Sequence, residues 1–163
     1  MKVVKLEIRT NNTLYNVKMK KLIKKAIKTS KHIDDLKVAV LEVFEHVKKD
    51  GVVRIGYVSG IINSDGPKFV KRNMRILREH TEKIRKEKDF PIFSATDVMA
   101  LETLIQIKAH KLVVKDFIKF WREILESGHV TDIFMTPRWN KSFGATDEHE
   151  TAKKLGIKIH YLD

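Results

Sequence analysis

Short apolar runs alternate with longer helical patterns from residue 52 to the end of the chain, and this rhythm constrains the fold more than any other feature. The runs are 52–58, reading Val52-Val53-Arg54-Ile55-Gly56-Tyr57-Val58, then 90–93, 130–135 and 157–162. Pro67 stands at the first turn of a helical pattern carrying Phe69, Val70, Met74, Leu77 and Ile84. A second helix is expected at 116–126, stopped by Gly128, and a third at 143–155, stopped by Gly156. The stretch 94–110 is the least regular and holds a helix starting near Thr96-Asp97. Strands separated by helices cannot form hairpins, so the alternation predicts an α/β domain with a parallel sheet covered by helices on both faces.

Residues 1–50 read differently. An alternating stretch at 3–8 predicts one half-buried strand, followed by helices at about 17–30 and 33–49, the second ended by Asp50-Gly51. One short strand and two helices offer too little apolar surface for a separate core. The expected organisation is therefore a basic amino-terminal extension over 1–50, packed on a main domain over 51–163.

The extension holds 13 Lys/Arg against 6 Asp/Glu, a large part of the +12 net charge of the 163-residue chain. Lys18, Lys20, Lys21, Lys24, Lys25, Lys28 and Lys31 interleave with Met19, Leu22, Ile23, Ala26 and Ile27 at helical spacing, giving an amphipathic helix with a lysine face. Such a face is either plain solvated surface or a footprint for nucleic acid or another polyanion. It carries no Arg and no aromatic, so any nucleic-acid contact over Lys18–Lys31 is to phosphates. The chain has no Cys, which excludes disulfides, thiolate metal sites and a cysteine nucleophile. No apolar run reaches the roughly 18 residues of a membrane span, and the first residues lack a signal-peptide pattern. A cytoplasmic protein with no membrane contact is the expectation.

Ligands of open parallel sheets bind beyond the carboxyl ends of the strands. Two such ends carry small and polar residues: Ser59-Gly60-Ile61-Ile62-Asn63, and the run from Thr136 to Ala145. The second run leads into a helix that Ser142 or Thr146 is placed to cap, with Glu148 as a candidate capping partner. Arg138, Lys141 and a helix start together suit an anion. Neither the dinucleotide fingerprint nor the P-loop spacing is present. The seven histidines form no metal-binding pair, and Ser59 lacks the Gly-x-Ser-x-Gly context of a serine hydrolase. No metal and no cofactor are expected.

Tyr57 to Asn63, Asp132 to Met135, Trp139 to Ala152 and Leu155-Gly156-Ile157 follow one another in an order that resembles the nucleoside 2-deoxyribosyltransferase superfamily, above all its small single-domain members. The most specific element is Ser-x-Gly-x-x-x-Glu-x-x-x-Ala, carried here by Ser142, Gly144, Glu148 and Ala152. The resemblance covers about 52–163 and implies a flavodoxin-like three-layer sandwich. It also implies cleavage or exchange of the N-glycosidic bond of a nucleoside or nucleoside 5′-monophosphate, in a homo-oligomer.

By the same resemblance, Glu148 is the nucleophile, Tyr57 orients its carboxylate, and Asp132 assists the base and leaving group. Ser59, Gly60, Asn63, Trp139, Ser142 and Gly144 are the expected substrate-binding residues. Ser142, six residues before Glu148, is the type found in members that act on monophosphates, where it contacts the phosphate. The loop Ile61-Ile62-Asn63-Ser64-Asp65-Gly66 replaces the arginine-bearing or Gly-Pro-Ile-Thr-Gly-like loop of many members, and residues 1–50 have no counterpart. The alternative reading is a non-catalytic nucleotide- or nucleic-acid-binding module that uses the lysine helix.

Overall fold

The computed structural model describes the backbone of residues 2–163 and the side chains from Leu14 onward. The chain opens with two antiparallel-running helices, α1 (Lys2–Ala26) and α2 (Ile33–Lys49). Stretch 3–8, expected as a strand, lies inside α1. The physical reason is the absence of any Gly or Pro before Gly51. Once nucleated, a helix gains one hydrogen bond per residue added, and a six-residue alternation does not stop it.

The remainder alternates: β1 (Gly56–Ser59), α3 (Val70–Glu87), β2 (Ile92–Ser94), α4 (Ala95–Val98), α5 (Leu101–Gln106), α6 (Val114–Glu126), β3 (Asp132–Met135), α7 (Phe143–Leu155) and β4 (Lys158–Tyr161). The four strands form one sheet in the order β2-β1-β3-β4, parallel throughout. Registers such as Tyr57↔Phe93 and Tyr57↔Ile133 put these three side chains on one face. There Tyr57 stacks on Trp121 of α6 at 5.0 Å, and Phe93 meets Phe44 of α2 at 4.8 Å. The other face carries Val58 and Phe134 and lies under α3, with Leu77 and Ile84 buried. The result is an α/β sandwich of three layers with an all-parallel sheet.

β2 is an edge strand, and side chains close its edge. Ile92 N–H donates to Asn16 Oδ1 of α1 at 2.8 Å. Its carbonyl accepts from Arg85 of α3 at 3.1 and 2.9 Å. The two backbone groups that another strand would pair with are thus satisfied within the chain.

The order β2-β1-β3 fixes the place of a site. From β1 the chain crosses to β2 on one side; from β2 it returns over β1 to β3. With right-handed crossovers the two connections lie on opposite faces. The crevice between the loops that leave β1 and β3 is the switch point, where open α/β sheets bind ligands.

Candidate functional site

Glu148 sits in the second turn of α7, with its carboxylate turned inward over the carboxyl end of β1. Tyr57 Oη donates to Glu148 Oε1 at 3.1 Å, and Ser59 Oγ donates to Oε2. All three residues are buried. The capping alternative for Glu148 falls, because both carboxylate oxygens are held by hydroxyls of the strand. Ser142 caps α7 instead, its Oγ accepting from Ala145 N at 3.2 Å. Thr146 is exposed within the helix.

Burial dominates the electrostatics of the pair. It disfavours a charged carboxylate, while the hydroxyls of Ser59 and Tyr57 favour one; the balance lifts Glu148 to about 7. The Tyr57 phenol is pushed well above its usual range by burial and by the adjacent carboxylate, so it stays a donor. A carboxyl group poised near neutrality and held by two O–H donors is the type of group that proton transfer or nucleophilic attack requires.

The walls of the crevice are tied together. A Cβ on Gly60 would lie 2.3 Å from Thr136 Oγ1, so the loop after β1 can run this close to the loop after β3 only with glycine there. Asp65 joins the same two loops. It accepts from Arg72 at 3.0 Å and from Asn73 Nδ2 at 3.1 Å, both of α3, and from Arg138 of the facing loop at 3.3 Å. Asn73 also donates to the Ile62 carbonyl at 3.0 Å. Asp65, Arg72, Asn73 and Thr136 were not singled out from the sequence, since the contacts that define them join distant segments.

The other expected residues divide by position. Gly144 lies in the first turn of α7, where an added Cβ would have only Ser142 Oγ near it, at 3.9 Å. Asn63 is exposed in the loop after β1. Trp139 is half-buried, stacked on His149 of α7 at 4.2 Å, and His149 Nε2 pairs with Tyr161 Oη at 2.7 Å. Trp139 thus holds its loop to α7 with one ring face.

Asp132 is not brought to Glu148. It is the first residue of β3, in register with Gly56, whereas Ser59 is the last residue of β1. At that amino end it accepts from Arg54 at 2.7 Å, from Thr131 at 2.7 Å and pairs with His160 at 2.8 Å. Burial alone would raise its pKa, but the bonds from Arg54, His160 and Thr131 outweigh it and hold the carboxyl at about 2. Beside this network a cavity of about 200 Å³ opens between Tyr15, Val52, Arg54 and Phe90, at the opposite end of the sheet from Glu148.

Compared with known proteins, the chain matches no family model, no curated protein and no solved structure.

Proposed function

We propose that this chain breaks the N-glycosidic bond of a nucleoside or nucleoside 5′-monophosphate, with Glu148 as the nucleophile. The observation that carries the reading is the pair of hydroxyls, Tyr57 Oη and Ser59 Oγ, holding the buried Glu148 carboxylate at the switch point of the sheet. An oxygen of the ionised carboxylate attacks C1′ of the sugar. The C1′–N bond breaks, its electron pair stays on the base, and the departing base takes up a proton from solvent. The charge that develops on the sugar ring is met at once by the carboxylate, and the glycosyl ester forms. Water then attacks C1′, gives up a proton to solvent and restores the Glu148 carboxylate; a second base in place of water makes the reaction an exchange.

A 5′-phosphate is the reason to prefer a nucleotide. Ser142 and the first turn of α7 lie at the crevice, and Arg138 and Lys141 stand exposed in the loop before it. Arg138 is shared with Asp65, so its charge is partly spent there. Asp132 takes no part in this scheme, because its position at the amino end of β3 separates it from Glu148.

The test is a panel of ribo- and deoxyribonucleosides and their 5′-monophosphates, with released base read by chromatography. Base release from at least one member is expected. Glu148→Gln should lower it on the order of a thousandfold or more while the fold is kept. Ser142→Ala should raise KM for monophosphates more than for free nucleosides, and should cost about 1 kcal/mol of stability through the lost helix cap. No release from any substrate refutes the reading.

A further inference from the structure

The exposed face of α1 sorts its lysines into two kinds. At 100° per residue, Lys21, Lys24 and Lys25 of α1 fall within an arc of about 100° on the side opposite the buried Met19 and Ile23, and Lys28, in the 3-10 turn Ile27–Thr29 that follows, continues the row. Lys18 and Lys20 flank that arc. Lys18 pairs with Asp50 at the end of α2, and Lys20 with Glu82 of α3, at 2.5 and 3.1 Å. These two strap the helix to the domain. The four central lysines, and Lys31 just beyond, are exposed and make no ion pair among the described residues. Further positive charge adjoins the end of the row. Gln106 Nε2 donates to the carbonyls of Ile27 and Ser30, which anchors the segment bearing the exposed Lys108 and Lys111 to the chain between Lys28 and Lys31.

We infer that this lysine row is a docking surface for the phosphate backbone of a nucleic acid. Four like charges spaced three and four residues apart repel one another, and no acidic side chain among the described residues pairs with them. A ligand with closely spaced negative charges does so, and releases its own counterions on binding. The row spans eight residues from Lys21 to Lys28, about 10 Å along the chain axis, and so faces several successive phosphates. Its chemistry fixes the mode of recognition. Lysine ammonium groups are point charges, and no Arg or aromatic stands in the arc to read or stack on bases, so binding is independent of sequence. A membrane surface fits less well. Helices that lie in lipid headgroups insert a continuous apolar face, whereas Met19 and Ile23 of α1 are buried in the protein core and the exposed apolar side chains of its described part, Leu14, Tyr15 and Val17, precede the lysine row. The inference goes beyond the chemistry proposed at Glu148 and does not depend on it.

The test uses the full chain and fluorescence anisotropy with a labelled DNA duplex of about 30 base pairs and a mixed-sequence RNA single strand of similar length, over about 50–200 mM KCl. Binding to both is expected, with log K falling linearly against log salt. Changing Lys21, Lys24, Lys25 and Lys28 together to Gln should lessen the duplex salt slope by about 3 to 4, and each single change by about 1. Lys153→Gln with Lys154→Gln, on α7, should change neither the affinity nor the slope. The single variants carry the test if the fourfold variant does not fold. The inference is overturned by absence of binding at the lowest salt or by an unchanged slope in the folded variants. It is also overturned if polyglutamate or phosphatidylserine vesicles bind as tightly as the nucleic acids.

Discussion

Glu148 is the residue on which most depends, and its titration has two readable consequences. In the unfolded chain the carboxyl titrates near 4.5; in the native state burial moves it to about 7. Below 4.5 it is neutral in both states and stability is untouched. Between these values the unfolded chain sheds the proton first, so native stability falls as pH rises. Above 7 the full penalty of about 3 kcal/mol applies. Glu148→Gln should therefore melt at a higher temperature than the wild type at pH 8, with the gap closing by pH 4, as measured by thermal denaturation across pH. A gap that does not vary with pH would show that the carboxyl is not buried and neutral. Activity should run the other way, rising tenfold per pH unit below 7 as the carboxylate forms. Glu148 and Tyr57 were paired at the level of sequence by a resemblance alone, and the structure brings their side chains within 3.1 Å. Asp65 was not legible, and neither was its pairing with Arg138, since one ion pair joining segments 73 residues apart leaves no local trace.

Among the elements, those set by breakers and periodicity were legible, and those set by distant contacts were not. Pro67, Gly128 and Gly156 mark boundaries that the chain obeys, because each acts through its own backbone. Stretch 3–8 was misleading because alternation over six residues carries little weight against an unbroken helix. The strands begin later than their apolar runs suggest: Val52 and Ile55 are buried before β1 starts, with the Ile55 carbonyl accepting from Thr131 N at 2.9 Å. Asp132 shows how pattern and position part. The resemblance pointed it to the site, yet its contacts join the amino end of β3 to Arg54 and to His160 of β4. The depressed carboxyl of Asp132 contributes stability above about 4, worth about 2 kcal/mol, which is lost as pH falls through about 2. Asp132→Asn should destabilise the chain by at least that amount at pH 7, because it also weakens the partners of Arg54 and His160. Urea denaturation should show the difference narrowing toward pH 2.

At the scale of the molecule, the question is whether residues 1–50 are an ornament on an independent domain. Their side chains argue otherwise. Met19, Ile23, Leu36, Val40 and Phe44 are fully buried in the same core cluster as Phe93, Ile124 and Ile133. Burying each such side chain is worth about 1.5–3 kcal/mol, against a total stability of about 5–15 kcal/mol for a domain. Removing α1 and α2 also takes away Asn16, and with it the partner of Ile92 N–H on the edge of β2. Phe93 would lose Phe44 from its face and leave the Tyr57–Trp121 stack open to water on one side. Tyr57 is the residue that holds Glu148, so the loss reaches the site through the core. The full chain should therefore unfold in a single transition, with near-ultraviolet and far-ultraviolet circular dichroism changing together. A fragment of residues 51–163 should keep helical signal but lose the near-ultraviolet signature of Trp121 and Tyr57, bind a hydrophobic dye and show no cooperative melt. A fragment that melts sharply, with the aromatic signature intact, would establish the extension as a separable addition.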